Sequence, residues 1–449
     1  MEHLLQVTTR DNLVGKLGHD ALNDKYTFVY DEAWRQRDGF LLSPHIPTAG
    51  EPASSSTIQR FLANLLPEGR ALDVAVAATA LTKDNFFGLV RVLGQEPVGA
   101  LSFLPEQAKG QMQSAPAEPV RRVIASEELS ERIRDRDTLP FPVWDRKIRL
   151  SIAGYQDKLQ VLVEGEQISL ADGTLSSTHI LKPDSRNPSA PHMVANEHFC
   201  MRLAAEMGLP AAPVELRRVP EPVLLIQRFD RKMVVDASGG SLTKVHRIHV
   251  IDGCQALDLP VSFKYERNFG IAKDVRHIRE GASFARLLAL DAFMENPAKA
   301  RAILIQWALF QLLIGNSDAH GKNISYFVTN AGLAPAPFYD LVSVNIYGHV
   351  EQEMAMGYGD AFRLEDITAL ELADFAYRTR TPPGYVSRQL AQLCRRATFA
   401  VAQLVCFNGY TDDERALVAD IAALINIQAQ RLAKIAPLIP KVEKVLFTS

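Results

Sequence analysis

The chain has 449 residues, of which 47% are hydrophobic and 22% are charged, and its formal net charge at pH 7 is -3. This length predicts about two to four folded units and excludes a disulfide-stapled mini-protein, while the average composition excludes global disorder. Because the chain has no excess of positive charge, its composition does not predict a generally basic surface that binds nucleic acid. Any DNA contact would need a local basic patch or a partner protein. The longest apolar run, residues 302–314, contains two glutamines and is too short to cross a bilayer.

The N-terminus and the cysteines indicate a cytoplasmic protein. No basic segment followed by a long apolar stretch opens the sequence, so no secretory signal is visible. The four cysteines are far apart and form no CxxC pair: Cys200, Cys254, Cys394 and Cys406. We therefore predict reduced thiols, mainly in cores, and no zinc site.

The first hundred residues predict a small antiparallel sheet followed by helices. Short β signals occur in LLQVTT, LVGKLG and YTFVY, where apolar and polar residues alternate in part. Apolar residues recur at helical spacing in residues 58–66 and again in residues 86–93. The segment 107–119 is polar, contains two prolines and lacks an apolar face, so it predicts a linker.

Beyond the linker, a β-rich part is followed by a helix-rich part. Residues 159–165, 178–182 and 223–229 are strand-like, and a helix over 193–207 ends before Gly208. From about residue 283 onward, helical periods dominate the pattern. The sequence thus predicts an α+β fold with two lobes.

The most informative stretch is residues 314–327, IGNSDAHGKNISYF, which follows a buried-looking helix and precedes a strand signal. Asp318 and Asn323 are five residues apart, and Asp340 follows in APFYDLVS. Phosphoryl transfer needs a carboxylate to orient the attacking hydroxyl and oxygen ligands for Mg²⁺. The spacing predicts Asp318 as the base and Asn323 and Asp340 as metal ligands. Because Asp and Asn are also common turn residues, an ordinary loop is the alternative.

Further kinase-like features lie upstream in the expected order. Lys182 ends a strand and could reach phosphates, and residues 151–158 precede another strand but contain a single glycine. Glu197, on the next predicted helix, could pair with Lys182, and residues 227–229 could form an adenine-binding hinge. Taken alone, a lysine at a strand end is usually a surface residue, an exposed helical glutamate is at least as common as a paired one, and residues 227–229 could be an ordinary strand end. Their order along the chain favours a two-lobed kinase.

These segments resemble the HipA family of serine/threonine kinases, the toxins of HipBA-type toxin–antitoxin pairs. The matching motifs are FLANLLPEG, GQEPVGALSFLPE, LSIAGYQDKLQV, THILKPD, ANEHFCMRLAAEMGLP, IQRFDRK, CQALDLP with KYE, IGNSDAHGKNISYF and APFYDLVS. The resemblance covers nearly the whole length and implies a two-lobed, protein-kinase-like α+β fold. It implies an N-terminal subdomain over 1–106, a linker over 107–120, a β-rich N-lobe with the phosphate loop over 121–250 and a helical C-lobe over 251–449.

The resemblance also implies roles for individual residues. Asp318 would be the catalytic base, and Asn323 and Asp340 would bind Mg²⁺. The residues implied to contact ATP are Ala153, Gly154, Tyr155, Gln156, Asp157, Lys158, Lys182, Gln227, Arg228, Phe229, His320 and Lys322. Ser151 matches the family's autophosphorylated serine, whose modification ejects the phosphate loop and switches the kinase off. A phosphate adds nearly two negative charges to a site that holds ATP phosphates, so repulsion explains such a switch.

Two positions depart from the family pattern. The segment before Cys254 reads Val-Ile-Asp where many relatives are expected to have Gln-Glu-Asp, and a bulky Tyr155 stands inside the phosphate loop. The first departure concerns contacts near the substrate cleft. Neither departure touches Asp318, Asn323 or Asp340.

The resemblance implies a Mg²⁺/ATP-dependent protein serine/threonine kinase that arrests growth and is linked to persistence. Its target would be a translation component, an aminoacyl-tRNA synthetase, and its partner a HipB-like helix-turn-helix antitoxin. It would meet DNA mainly through that antitoxin and would not bind a membrane. Two alternatives stay open: a kinase-fold corepressor with little phosphotransfer, and a small-molecule or lipid kinase.

Overall fold

The structure is a computed structural model that describes residues 2–9, 12–106, 118–145, 147–149, 156–236 and 242–447. Most of the predicted linker, residues 107–117, lies outside the described residues, as do Ser151, Ala153, Gly154 and Tyr155. Within the described ranges, no helix is long and apolar enough to cross a membrane.

The N-terminal segment forms the predicted sheet and helices. Its elements are β1 (Glu2–Thr9), β2 (Asn12–Asp20), β3 (Lys25–Tyr30), α1 (Glu32–Gln36), α2 (Ser55–Leu65), α3 (Gly69–Thr79), α4 (Phe86–Leu93) and β4 (Ser102–Pro105). The strands form an antiparallel sheet in the order β3-β2-β1-β4. Helix α2 begins at the N-cap Ser54 and buries Ile58, Phe61, Leu62 and Leu65, one stripe at helical spacing. Helix α3 was not predicted, because it buries only Ala75 and has no apolar stripe.

The middle of the chain is rich in strands. It contains β5 (Pro119–Val123), α5 (Ser126–Arg134), β6 (Val143–Trp144), β7 (Lys147–Ile148), β8 (Leu159–Glu164), β9 (Gln167–Gly173), β10 (His179–Pro183), α6 (Met193–Glu206), β11 (Val214–Arg218), β12 (Pro222–Gln227), β13 (Arg231–Val235), β14 (Leu242–Arg247) and β15 (Val250–Asp252). A six-stranded sheet has the order β11-β12-β10-β8-β9-β5. Strands β8, β10 and β12 and helix α6 confirm the corresponding sequence predictions.

The last part of the chain is mainly helical, as predicted. Its elements are α7 (Gly253–Ala256), α8 (Phe284–Leu288), α9 (Pro297–Ile314), β16 (Ser325–Thr329), β17 (Gly332–Pro335), α10 (Ala369–Arg378), α11 (Pro383–Leu404) and α12 (Asp412–Ile435). Helix α9 is buried along most of its length and packs against α11 and α12. It begins with the N-cap Asn296 followed by a proline, and it ends at Gly315, whose φ of 65° is the left-handed conformation that favours glycine.

The chain divides into two compact units, each built from separate segments. The first comprises Met1–Pro183, Arg217–Ile251 and Tyr326–Leu333, and the second comprises Asp184–Leu216, Asp252–Ser325 and Ala334–Ser449. The first unit contains most of the strands, and the second contains α6 to α12. This composition confirms the α+β fold class, whereas the four predicted domain bounds stay a prediction. All four cysteines are free, and three of them are buried, with Cys406 exposed.

Candidate active site

A loop of the second unit, residues 315–324, joins α9 to β16 and contains the predicted catalytic residues. Every residue in this catalytic loop is buried except Asp318. A charged side chain in a buried loop would need compensation, whereas an exposed carboxylate keeps its water. The loop therefore presents one acidic group to solvent on an otherwise buried frame.

Asn316 connects the predicted site residues to one another. Its Oδ1 accepts a hydrogen bond from the Asp318 backbone N–H at 3.1 Å, and its Nδ2 donates to the Asp340 carbonyl at 3.4 Å. A third bond, from Nδ2 to Gln311 Oε1 at 2.9 Å, ties Asn316 to the end of α9. Sequence reasoning assigned no role to Asn316, although it lies two residues before Asp318.

The side chain of Asn323 is oriented by the backbone of Asp318. Its Nδ2 donates to the Asp318 carbonyl oxygen at 2.8 Å. Because this bond uses the amide nitrogen, Oδ1 is the atom of Asn323 that could bind a cation. Asp340 has a φ of 55°, a left-handed conformation that aspartate tolerates better than most residues. The second unit thus holds Asp318, Asn323 and Asp340 in one hydrogen-bonded arrangement.

These oxygen donors fit a magnesium ion. Among the described residues there is no group of three or more His, Cys, Asp or Glu side chains that could hold a metal. Mg²⁺ in phosphoryl-transfer sites is usually bound through one or two protein oxygens together with substrate phosphates and water. Asn323 and Asp340 are suited to that kind of site and not to a cage made of protein ligands alone.

His320 and Lys322 are buried within the second unit. Lys322 Nζ lies 2.5 Å from Asp252 Oδ2, and the Lys322 side chain is 2% exposed. The other oxygen of Asp252 accepts from Gln255 N–H at 2.8 Å, as the N-cap of α7. Burial and the nearby Lys264 lower the pKa of His320 to about 3, so its imidazole is neutral at physiological pH. Sequence reasoning missed Asp252 as the partner of Lys322, and the predicted ATP contacts of His320 and Lys322 stay predictions.

Tyr265 contacts the predicted base directly. Its hydroxyl donates a hydrogen bond to Asp318 Oδ1 at 2.6 Å. The sequence pointed to Tyr265 only as part of the KYE motif and gave it no function. Because Tyr265 lies 53 residues before Asp318, no local sequence pattern indicates this contact.

In the first unit, two predicted phosphate-binding lysines lie at the same end of the six-stranded sheet. Leu181 of β10 pairs with Leu159 of β8, so the next step of this register places Lys182 opposite Lys158. Leu159 and Leu181 both face the hydrophobic cluster, which puts the two lysines on the other face of the sheet. Each lysine is 7% exposed. Two lysines on one face at one end of a sheet are suited to an anionic ligand such as a phosphate.

The other residues that the sequence predicts for this part of the site are placed as follows. Gln156 and Asp157 are partly buried, and Asp157 Oδ2 lies 3.3 Å from Arg136 Nε. Glu197 is buried on α6 in the second unit, and its predicted pairing with Lys182 stays a prediction.

The predicted hinge residues lie at the end of β12, which Gln227 closes, and just beyond it. Gln227 pairs with His179 of β10, and the Phe229 ring meets Phe327 edge-on at 5.8 Å. The Arg228 guanidinium is buried and binds Asp230 through two hydrogen bonds of 3.0 and 2.8 Å. Because the side chain of Arg228 is engaged in this pair, its predicted contact with ATP would have to involve the backbone.

Arg228 belongs to a larger ion cluster of the first unit, which sequence reasoning missed. We define this ion cluster as Glu96, Arg228, Asp230, Arg231 and Arg247. It joins the GQEPVGALSFLPE motif to the turn between β12 and β13 and to β14, since Gly99 N–H donates to Asp230 Oδ2 at 2.9 Å and Arg247 Nε donates to the Gly99 carbonyl at 3.0 Å. Burial by itself would raise the pKa of Asp230, but Arg228 and Arg231 outweigh it and hold that pKa below its usual range.

Comparisons with known proteins agree with this geometry. A family model described as HipA-like C-terminal domain matches residues 150–401, and one described as HipA N-terminal domain matches residues 5–104. A Shewanella oneidensis protein named serine/threonine-protein kinase toxin HipA is 40% identical over 413 residues, which are 92% of each chain. A solved structure of the Shewanella oneidensis HipA, HipB and operator DNA complex matches with a TM-score of 0.87 at 39% identity, covering 98% of this chain and 100% of that one.

The fold and the catalytic loop define a protein of the protein-kinase class, with an α+β kinase-like architecture. The chain belongs to the HipA family of serine/threonine-protein kinases. The family predicted from the sequence motifs is thereby confirmed.

Proposed function

We propose that this chain is a Mg²⁺/ATP-dependent serine/threonine-protein kinase in which Asp318 is the catalytic base. The observation that carries the proposal is the exposure of Asp318 in a loop whose other residues are all buried. Hydrogen bonds connect this aspartate to Asn323 directly and to Asp340 through Asn316. A rigid loop of this kind suits positioning, which supplies most of the catalysis in phosphoryl transfer.

The residues of the second unit would act on the substrate hydroxyl. Asp318 would accept a hydrogen bond from that hydroxyl and then receive its proton. Asn323 Oδ1 and the Asp340 carboxylate would hold Mg²⁺. When bound, Mg²⁺ neutralises charge on the transferred phosphate.

The residues of the first unit would bind ATP. Lys158 and Lys182 are buried on one face at one end of the sheet, where they could contact phosphates. Gln227, Arg228 and Phe229 would bind adenine mainly through their backbone. Gln156 and Asp157 would complete the described part of the phosphate loop.

We further propose that the chain is a toxin that pairs with a HipB-like helix-turn-helix antitoxin. The similar solved structure, which contains HipA, HipB and operator DNA, supports this partner and a contact with DNA mainly through it. The net charge of -3 fits a protein that does not bind DNA by itself. The proposed target is an aminoacyl-tRNA synthetase in the cytoplasm, whose phosphorylation would arrest growth and lead to persistence.

Autophosphorylation of Ser151 is the proposed off-switch. Ser151 lies outside the described residues, and the proposal rests on the LSIAGYQDK motif. The Ser151→Ala chain, incubated with Mg²⁺·ATP and analysed by peptide mapping, should not be modified at this position and should keep its activity. Equal modification of the parent and the variant would contradict the switch.

The test of the kinase function is transfer of labelled phosphate from Mg²⁺·ATP to a panel of purified aminoacyl-tRNA synthetases. The parent chain should label a synthetase, and the Asp318→Asn chain should not. Label on a small molecule or lipid instead of a protein would support the small-molecule kinase alternative. Growth arrest by both chains, with no label transferred by either, would support the corepressor alternative and overturn the proposal.

A further inference from the structure

Tyr265 lies at the surface of the second unit against the proposed base. Its hydroxyl is 2.6 Å from Asp318 Oδ1, and the residue as a whole is 37% exposed. The ring also meets the His320 imidazole edge-on, with the ring centres 5.1 Å apart. A hydroxyl that donates to an ionised carboxylate makes a charge-assisted bond, about twice as strong as one between neutral groups.

The backbone on both sides of Tyr265 is fixed. The Lys264 carbonyl accepts a hydrogen bond of 2.8 Å from Gly321 N–H in the catalytic loop. The Glu266 side chain is 5% exposed and forms an ion pair of 2.5 Å with Arg279. Because its two neighbours are anchored, the backbone of Tyr265 cannot leave the loop without breaking buried contacts. The hydroxyl of Tyr265 therefore reaches Asp318 from a fixed backbone position.

We propose that Tyr265 is a positioning residue for phosphoryl transfer, and that it fixes the carboxylate orientation of Asp318. Asp318 is exposed, so its side chain would otherwise sample several rotamers. The bond to Oδ1 restricts the carboxylate to one orientation, which sets the direction from which a substrate hydroxyl can approach. This inference rests on the proposed function, in which Asp318 receives the proton of that hydroxyl.

The transfer step balances without a chemical change at Tyr265. The substrate oxygen forms a bond to the γ-phosphorus of ATP while the bond from that phosphorus to the bridging oxygen breaks, and ADP leaves with the electron pair. The substrate proton goes to Asp318. Tyr265 keeps its own proton and acts only through its hydrogen bond.

The experiment compares Tyr265→Phe with the parent chain in incorporation of labelled phosphate from Mg²⁺·ATP into the chain itself. We expect the maximal rate to fall about tenfold, the value of one hydrogen bond to a reacting group. The half-saturating ATP concentration should not change, because Tyr265 does not act on nucleotide binding. Tyr385→Phe is the matched control, since Tyr385 lies on α11 in the same unit, and it should behave like the parent.

A double variant separates positioning from a general loss of structure. If Tyr265 acts through Asp318, Tyr265→Phe should not reduce the residual rate of the Asp318→Asn chain any further. A maximal rate equal to that of the parent, or a changed half-saturating ATP concentration with an unchanged maximal rate, would overturn the inference alone. Full activity of Asp318→Asn, or a parent that labels neither itself nor a synthetase, would overturn the proposed function and this inference with it.

Discussion

The ion cluster of the first unit and the catalytic loop of the second unit contain similar side chains in opposite situations. In the ion cluster, the carboxylate of Asp230 is buried and is shared by Arg228 and Arg231. In the catalytic loop, the carboxylate of Asp318 is exposed while the residues around it are buried. Both aspartates accept hydrogen bonds, but only Asp318 remains accessible to another molecule.

The difference teaches how burial separates structural from chemical roles. A buried carboxylate must be compensated by cations, and the compensation fixes it in place and removes it from chemistry. An exposed carboxylate on a buried frame needs no compensation and can exchange a proton with a substrate. The sequence motifs predicted Asp318 as a base, but they could not predict that Asp230 is buried and bound by Gly99, because that contact joins segments distant in sequence.

The largest expected effect is the loss of phosphoryl transfer in Asp318→Asn. Removing a general base should lower the rate about 10²- to 10⁴-fold. The melting temperature should stay close to that of the parent, because the side chain is exposed. Incorporation of labelled phosphate and thermal unfolding measure the two quantities, with Asp420→Asn on the surface of α12 as the control. A large drop in the melting temperature would show that Asp318, like Asp230, stabilises the fold, which would contradict the contrast drawn between the two aspartates.

The next effect is on stability, in Asp230→Asn. This change leaves two buried arginines without their shared carboxylate, which should lower the free energy of unfolding by about 3–5 kcal/mol. The matched control is Glu106→Gln, which removes the ion pair between Lys16 and Glu106, whose side chains are 47% and 41% exposed. That exposed pair should contribute less than about 1 kcal/mol. Similar unfolding midpoints for the two variants in urea would show that the ion cluster does not stabilise the first unit.

A smaller effect is expected on the Mg²⁺ dependence of phosphoryl transfer in Asn323→Ala. Loss of one oxygen ligand should raise the half-saturating Mg²⁺ concentration at least about tenfold at saturating ATP. The variant also loses the bond to the Asp318 carbonyl, so the maximal rate should fall as well. The control is Asn408→Ala, at an exposed position before α12. An unchanged Mg²⁺ dependence would exclude Asn323 as a ligand.

The smallest expected effect is a pH dependence of the free energy of unfolding, which arises from one buried histidine in each unit. Burial is the main cause that lowers the pKa of His249 in the first unit and of His198 in the second to about 4. The histidines of the unfolded chain bind protons with a pKa of about 6.5. Their contribution to the free energy of unfolding is therefore fully present above about pH 6.5 and is lost as the pH falls toward 4. Each histidine should lower the free energy of unfolding by about 1 kcal/mol when the pH falls from 7 to 5.5.

Unfolding midpoints at pH 7 and 5.5 test this expectation in the parent, His249→Asn and His198→Asn. Each variant should show a smaller loss on acidification than the parent. His349→Gln, at an exposed position, is the control and should follow the parent. A pH dependence unchanged in both core variants would contradict the assignment of neutral, buried imidazoles.

Much of the fold followed from local patterns. Helix α4 has its predicted bounds, and α6 and β8 differ from theirs by one residue. Helix α3 was missed, since its alanine-rich sequence buries little and gives no stripe. The predicted strand end at Lys182 was one residue short, because Pro183 lacks an N–H but still pairs with Val223 at the strand end.

The candidate site was predictable where one segment contains it. Asp318 and Asn323 share a loop, and their spacing together with the family motifs was sufficient to predict them as site residues. Asn316, Tyr265 and Asp252 were missed, because their roles depend on partners brought near by the chain fold. A hydrogen bond between residues 53 positions apart leaves no periodic signal in the sequence.

The sequence by itself determined the family and the α+β class, because these depend on short motifs and local periods, and it predicted Asp318, Asn323 and Asp340 as site residues. Tertiary structure alone decided which charged residues are exposed and which are buried in ion pairs. It exposed Asp318, buried Lys322 against Asp252 and enclosed Arg228 with Asp230. The physical reason is that the state of a charge depends on its solvent access and on its partners, and both are set by chain segments distant in sequence.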